Sequence, residues 1–157
     1  MTIKELYSTL DKLIPPSLSC EWDNDGYMCA PNGEKEVKRI LVTLDVTEEA
    51  ADLAVNEGYD LIISHHPFVF KGLKSITDEN YISKKAIKLI GAGISVFSFH
   101  TRLDALRGGV NDTLALLLGI SDAVPFGENG ETIGRIGELP SPMALDDFAA
   151  LCKIIGE

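Results

Sequence analysis

The chain has 157 residues, a length that suits one compact domain, and at 45% hydrophobic and 24% charged it is too apolar for a disordered one. A formal net charge of -10 repels phosphate backbones and anionic lipid, which argues against nucleic-acid partners and membrane surfaces. No apolar run reaches the roughly 18–20 residues needed to span a bilayer.

Met1-Thr2-Ile3-Lys4-Glu5 is not the basic start of a secretory leader. Cys20, Cys29 and Cys152 form neither a CxxC pair nor a disulfide framework, so free thiols in a reducing compartment are expected, with the cytoplasm as the location.

In chain order, Thr2 and Glu5 make a T-x-x-E capping box, and Ile3, Leu6, Leu10 and Leu13 recur at helical spacing until Pro15-Pro16. Trp22-Asp23-Asn24-Asp25-Gly26 and Pro31-Asn32-Gly33 read as turns. Residues 39–44, all aliphatic or β-branched after the initial Arg39, predict a buried strand. Thr47 then caps a helix that Gly58 ends. A second short buried strand is expected over 60–64, a helix around 83–90 closed by Gly91, and a strand over 94–99. Gly108-Gly109 break the chain before a helix through 114–118, with Asn111 or Asp112 as its cap. A strand over 133–139 and a helix over 144–155 complete the series.

Strands alternating with helices predict an α/β fold, a largely parallel or mixed sheet flanked by helices, in a single domain over 1–157. Such sheets place ligands at the carboxyl ends of their strands. Two apolar strands here end in metal-binding residue types, one in His65-His66-Pro67 and the other in His100-Thr101-Arg102-Leu103-Asp104. All three histidines of the chain fall at these ends. Neutral imidazoles and carboxylates bind divalent Zn, Fe, Ni, Mn or Co at about 2.0–2.2 Å. Adjacent residues leaving a strand point apart, so His65 and His66 suit different ions of a pair, with Asp104 bridging or completing one. The same residues have blander readings: a polar turn for the His pair, a buried histidine bonded to a carbonyl for His100, a helix cap for Asp104. Trp22 is expected to pack rather than bind, and Lys71 and Lys74 to be solvated unless they meet a phosphate.

At these residues the sequence resembles the NIF-three-like family, whose bacterial members carry the name GTP cyclohydrolase 1 type 2 homologue. The resemblance rests on Glu21-Trp22-Asp23-Asn24 with Gly26, Leu44-Asp45-Val46-Thr47, and Asp60-Leu61-Ile62-Ile63-Ser64-His65-His66-Pro67 with Phe70. It extends through His100-Thr101 with Leu103-Asp104, and Gly108-Gly109-Val110-Asn111-Asp112 with Leu114-Ala115 and Leu118-Gly119.

The resemblance implies an α/β fold, a dinuclear divalent-metal site and assembly as a homohexamer. It implies that His65 and His66 are ligands to different ions, that Asp104 is a further ligand, and that His100 stands beside the site, orienting a neighbour or serving as an occasional ligand. The family's remaining His and Glu ligands belong to a later segment, and this sequence has no histidine after His100. The match is therefore expected to be to the N-terminal half, with the chain truncated at its C-terminus. The function implied is a metal-dependent hydrolase acting on a nucleotide or related phosphorylated small molecule, with no general base identified. The alternatives are a metal-binding or interaction protein without enzymatic activity, and a metal-free scaffold with a packed His pair.

Overall fold

The computed structural model describes residues 1–127 and 132–155, and they fall into two compact units, Met1–Thr101 and Arg102–Glu157. The first unit opens with α1 (Ile3–Leu13), whose capping box forms as expected: Thr2 N–H donates to the Glu5 carboxylate at 2.9 Å and Glu5 N–H to Thr2 Oγ1 at 3.2 Å. The strands are β1 (Gly26–Cys29), β2 (Ile40–Thr43), β3 (Leu61–Ser64) and β4 (Ser95–Ser98), with α2 (Glu48–Asn56) and α3 (Tyr81–Gly91) as the crossovers. They form one mixed sheet in the order β1-β4-β3-β2. β2, β3 and β4 run parallel, as crossover helices require, and β1 is antiparallel to β4.

Side-chain alternation divides the core between the two sheet faces. Ile62 and Val96 point toward α2 and α3, where they pack with Ala51, Ala54, Ala86, Leu89 and Phe68. On the other face Leu61 and Phe97 are buried, and the Tyr7 ring of α1 meets Phe97 edge-on at 5.1 Å and stacks on Tyr27 at 4.9 Å. Asp60 ties the start of the sheet together. Its carboxylate accepts the N–H groups of Lys38 and Arg39 at 2.9 and 3.0 Å and pairs with Lys35 at 2.9 Å.

The sheet departs from expectation at its two edges. Residues 39–44 are not a buried strand: β2 is an edge of the four-stranded sheet, with β3 its one paired strand among the described residues, and Val42 on it is 74% exposed. The turn before Gly26 leads into β1, which was not expected: it has four residues, and a bulge between Tyr27 and Cys29 hides its period.

The second unit starts in α4 (Thr101–Ala105) and continues with α5 (Val110–Leu117), the antiparallel pair β5 (Ser121–Phe126) and β6 (Gly134–Glu138), and α6 (Leu145–Ile155). The expected strand over 133–139 is thus β6, in a separate two-stranded sheet. Its partner β5 contains Pro125 and carries no apolar alternation. The α5 N-cap is Gly109, not Asn111 or Asp112, while Asp112 Oδ2 accepts the Gly108 N–H at 2.5 Å. Only glycine fits at 109, since an added Cβ would lie 2.1 Å from the Leu103 carbonyl oxygen. Arg135, 4% exposed, pairs with Asp112 and donates to the carbonyls of Ala105 and Leu106 at 3.0 and 3.2 Å. The approach of the last helix to Glu157 lies outside the described residues. Among the described residues no helix is long and apolar enough to cross a membrane.

Candidate metal centre

The β ladder continues past the formal strand ends and fixes the backbone of the His pair. His65 N–H donates to Thr43 O at 3.2 Å, His66 N–H to Leu44 O at 3.0 Å, and Phe99 N–H to Ser64 O at 2.9 Å. Beneath the turn lie Ser64 and Ser98, register partners buried in adjacent strands. Their hydroxyls meet at 2.9 Å; Ser64 Oγ also contacts the His66 carbonyl at 2.9 Å, and Ser98 Oγ accepts the Phe68 N–H at 3.1 Å. Two small polar residues thus hold the tight exit at His65-His66-Pro67 from below.

His65, His66 and His100 come together at this edge. One ring nitrogen from each lies within 4.8 Å of the others, and the ring centroids are 5.1, 5.3 and 5.7 Å apart. Each Nδ1 has an oxygen partner: Phe99 O at 3.1 Å for His65, Asp45 Oδ1 at 2.9 Å for His66, and Asp23 Oδ1 at 2.9 Å for His100. A carbonyl or carboxylate oxygen accepts, so Nδ1 carries the proton in each neutral ring and the basic lone pair sits on Nε2. Anchored Nδ1 with ligating Nε2 is the usual arrangement of metal-bound histidine. The donor set therefore fits a divalent transition metal.

Asp23 is the most constrained member. Its side chain is fully buried and accepts the Thr101 N–H at 3.1 Å, the Thr101 hydroxyl at 2.5 Å and the Asn24 N–H at 2.8 Å besides the His100 ring. Burial pushes its carboxyl up, but the hydrogen bonds from Thr101, His100 and Asn24 outweigh it and hold the group below the ordinary aspartate value. Asp25 supports the same loop by accepting the His100 N–H at 3.1 Å.

Asp104 belongs to the second unit, where it lies inside α4 rather than at its cap. Asp23 and Asp45 were not singled out from the sequence as partners of the histidines. Asp45 follows the end of β2, so extending the strand-end rule to a third strand would have found it; Asp23 stands in a segment that reads only as a turn. Trp22, expected to pack, is 56% exposed.

The family model described as Duf34/NIF3 (NGG1p interacting factor 3) matches residues 1–155. The chain belongs to this NIF3 family. Curated relatives include the GTP cyclohydrolase 1 type 2 homolog of Clostridium acetobutylicum, 33% identical over 98% of this chain and 59% of its own length. Another is the NIF3 homolog of Schizosaccharomyces pombe, 35% identical over 95% of this chain and 58% of its own. Among solved structures, reduced HcgD from Methanocaldococcus jannaschii superposes with a TM-score of 0.85 at 29% identity, over 98% of this chain and 60% of that one. A hypothetical protein from Staphylococcus aureus gives 0.84 at 29% identity, over 98% and 64%. The chain thus spans about three fifths of the length of these relatives.

Proposed function

We propose that this NIF3-family chain holds divalent metal, probing as Zn, Fe, Ni, Mn or Co, and serves a metal-dependent hydrolase acting on a nucleotide or related phosphorylated small molecule. The observation that carries the reading is the three-imidazole cluster, with every Nδ1 engaged by an oxygen. His65 and His66 would hold different ions of a pair, and Asp104 would add a carboxylate. The position of His100 within the cluster supports counting it with the ligands. Bound metal supplies a Lewis acid and a water acidified toward neutral pH. Asp45 and Asp23 orient the His66 and His100 rings through Nδ1–H and so leave Nε2 for a metal. The relatives' name, GTP cyclohydrolase 1 type 2 homolog, agrees with a nucleotide-like substrate. A homohexamer remains the proposed assembly, by family resemblance.

A second reading, metal binding without turnover, is favoured by one observation: the carboxylates bonded to the cluster, Asp23 and Asp45, are engaged in orienting rings, and no general base is evident among them. Zinc or cobalt titration of the purified chain, with nucleotide and phosphate-ester turnover measured on the same samples, tests both. Stoichiometric binding with turnover, lost in His65→Ala, His66→Ala and Asp104→Ala, supports the hydrolase. Binding without turnover supports the second reading, and unchanged metal content in all three variants removes the site.

A further inference from the structure

Beside the histidine cluster lies a patch that the metal reading leaves unused. Trp22 immediately precedes Asp23, whose carboxylate anchors His100, so the indole is carried against that imidazole: the rings meet edge-on, 6.3 Å apart and at 77°. On another side Trp22 meets Phe70 edge-on at 6.4 Å and 70°. Both large rings are open to solvent, Trp22 at 56% and Phe70 at 45%. Near-perpendicular contacts leave aromatic faces for a planar guest, which parallel stacking between the rings would have consumed.

The segment carrying Phe70 is held rather than loose. Asn24 Nδ2 donates to Val69 O at 2.6 Å, tying the Trp22 segment to it. Phe68 N–H is fixed to Ser98 at 3.1 Å, and the Ser75 carbonyl accepts from Ser83 Oγ at 3.1 Å. Between these anchors runs a groove of about 470 Å³ lined by Pro67, Phe68, Phe70, Lys71, Lys74 and Asn80, among others. Its volume is that of a small-molecule site.

Charge narrows the guest. The chain has 24 acidic residues against 14 basic ones, and Lys4, Lys35, Arg39, Lys84, Lys88 and Arg135 are paired with carboxylates. Lys71 and Lys74 line the groove and have no carboxylate partner among the described residues. Two uncompensated cations three positions apart, next to exposed rings, select an anion attached to a flat apolar body.

We infer that Trp22 and Phe70 form an aromatic corner for a planar heterocycle, which stacks on the open face of Trp22 and meets Phe70 edge-on, and that Lys71 and Lys74 hold a phosphate carried by the same molecule, a nucleoside-phosphate-like ligand. The inference rests on the metal-hydrolase reading for what the bound molecule undergoes, not for its binding. The platform would place the heterocycle against His100.

Trp22 is the sole tryptophan of the chain, so its fluorescence reports the platform directly. The probe is guanosine 5′-monophosphate, titrated in the presence of EDTA, with guanosine and ribose 5-phosphate as controls. Saturable quenching by the nucleotide is expected, with none by ribose 5-phosphate. Phe70→Leu should weaken nucleotide binding about tenfold, the scale of one lost aromatic contact. Lys71→Ala with Lys74→Ala should weaken the nucleotide toward the affinity of guanosine and leave guanosine unchanged. Trp22→Leu, followed by calorimetry, should lose binding, and circular dichroism of each variant checks that it folds. Absence of saturable quenching, or an unchanged affinity in Phe70→Leu, overturns the platform. Equal affinity for guanosine and its monophosphate overturns the phosphate role. His65→Ala with His66→Ala should abolish metal uptake while nucleotide quenching persists, so loss of the metal site and loss of the platform are separate results.

Discussion

Asp23 and Asp45 act on the proposed site through the rings they hold. Each accepts from an Nδ1 at 2.9 Å, and the Asp23 carboxylate is fully buried while that of Asp45 is open. An amide is a weaker acceptor than a carboxylate and does not enforce the Nδ1–H tautomer. Asp23→Asn and Asp45→Asn are each expected to lower zinc affinity about tenfold with the fold retained, as read by equilibrium dialysis and far-ultraviolet circular dichroism. Affinities equal to the parent would show that the rings need no such partner. Asp60 gives a residue-scale effect on stability instead. Burial raises its carboxyl, but the Lys35 ammonium and the N–H groups of Lys38 and Arg39 prevail and bring it from 3.8 down to about 2. A group depressed in the folded state contributes stability above its unfolded value and loses it as pH falls through the folded one. Asp60→Asn should therefore cost about 1 kcal/mol at neutral pH, after discounting for solvent screening of the partly exposed Lys35. The difference between parent and variant should vanish between about pH 4 and pH 2 in urea melts.

Elements differ in how they are secured. β3 and β4 lie inside the sheet, and their exits carry the histidines on a backbone already committed to the ladder. That rigidity suits a site whose groups must be held to about half an ångström. β2 protects its exposed edge poorly in chemical terms, since Ile40, Val42 and Leu44 are exposed apolar residues along it. In the second unit, the entry to α5 depends on Gly109, with the Leu103 carbonyl where a side chain would begin. Gly109→Ala is expected to destabilise that unit by about 1–3 kcal/mol, because the backbone must shift to admit a methyl group. Hydrogen exchange at the α5 amides would read the loss, and unchanged protection would contradict the close approach.

At the scale of the whole molecule, the proposal makes metal a stabilising ligand of the folded state. A ligand bound only by the native form adds about 2.7 kcal/mol at a hundredfold excess over its Kd. For a chain of 157 residues this corresponds to a rise in Tm of about 5–10 °C. Zinc should therefore raise the melting temperature, and EDTA should reverse it. A melting curve indifferent to both would leave the imidazole cluster as packing. The chain matches the NIF3 family model over nearly its whole length while spanning about three fifths of the Clostridium acetobutylicum and Schizosaccharomyces pombe relatives, so the comparison of this chain with one of them in the same titration is informative about which ligands the shared part supplies.

The amino-acid sequence alone was sufficient for what is decided within a few residues: the Thr2–Glu5 capping box, the Thr47 cap, the runs that become β3 and β4, and the placing of every histidine at a strand exit. Such features depend on periodicity and on contacts three or four positions apart, which the sequence displays directly. It also showed the family, through motifs spread along the chain. Tertiary structure alone decided that His100 joins His65 and His66, since that follows from β3 pairing with β4 in register. It decided too that Asp23, 77 positions before His100, orients that ring, and that 39–44 lies at an edge. Strand order and long-range partnering are set by which surfaces bury one another, and no local pattern in a single chain records that choice.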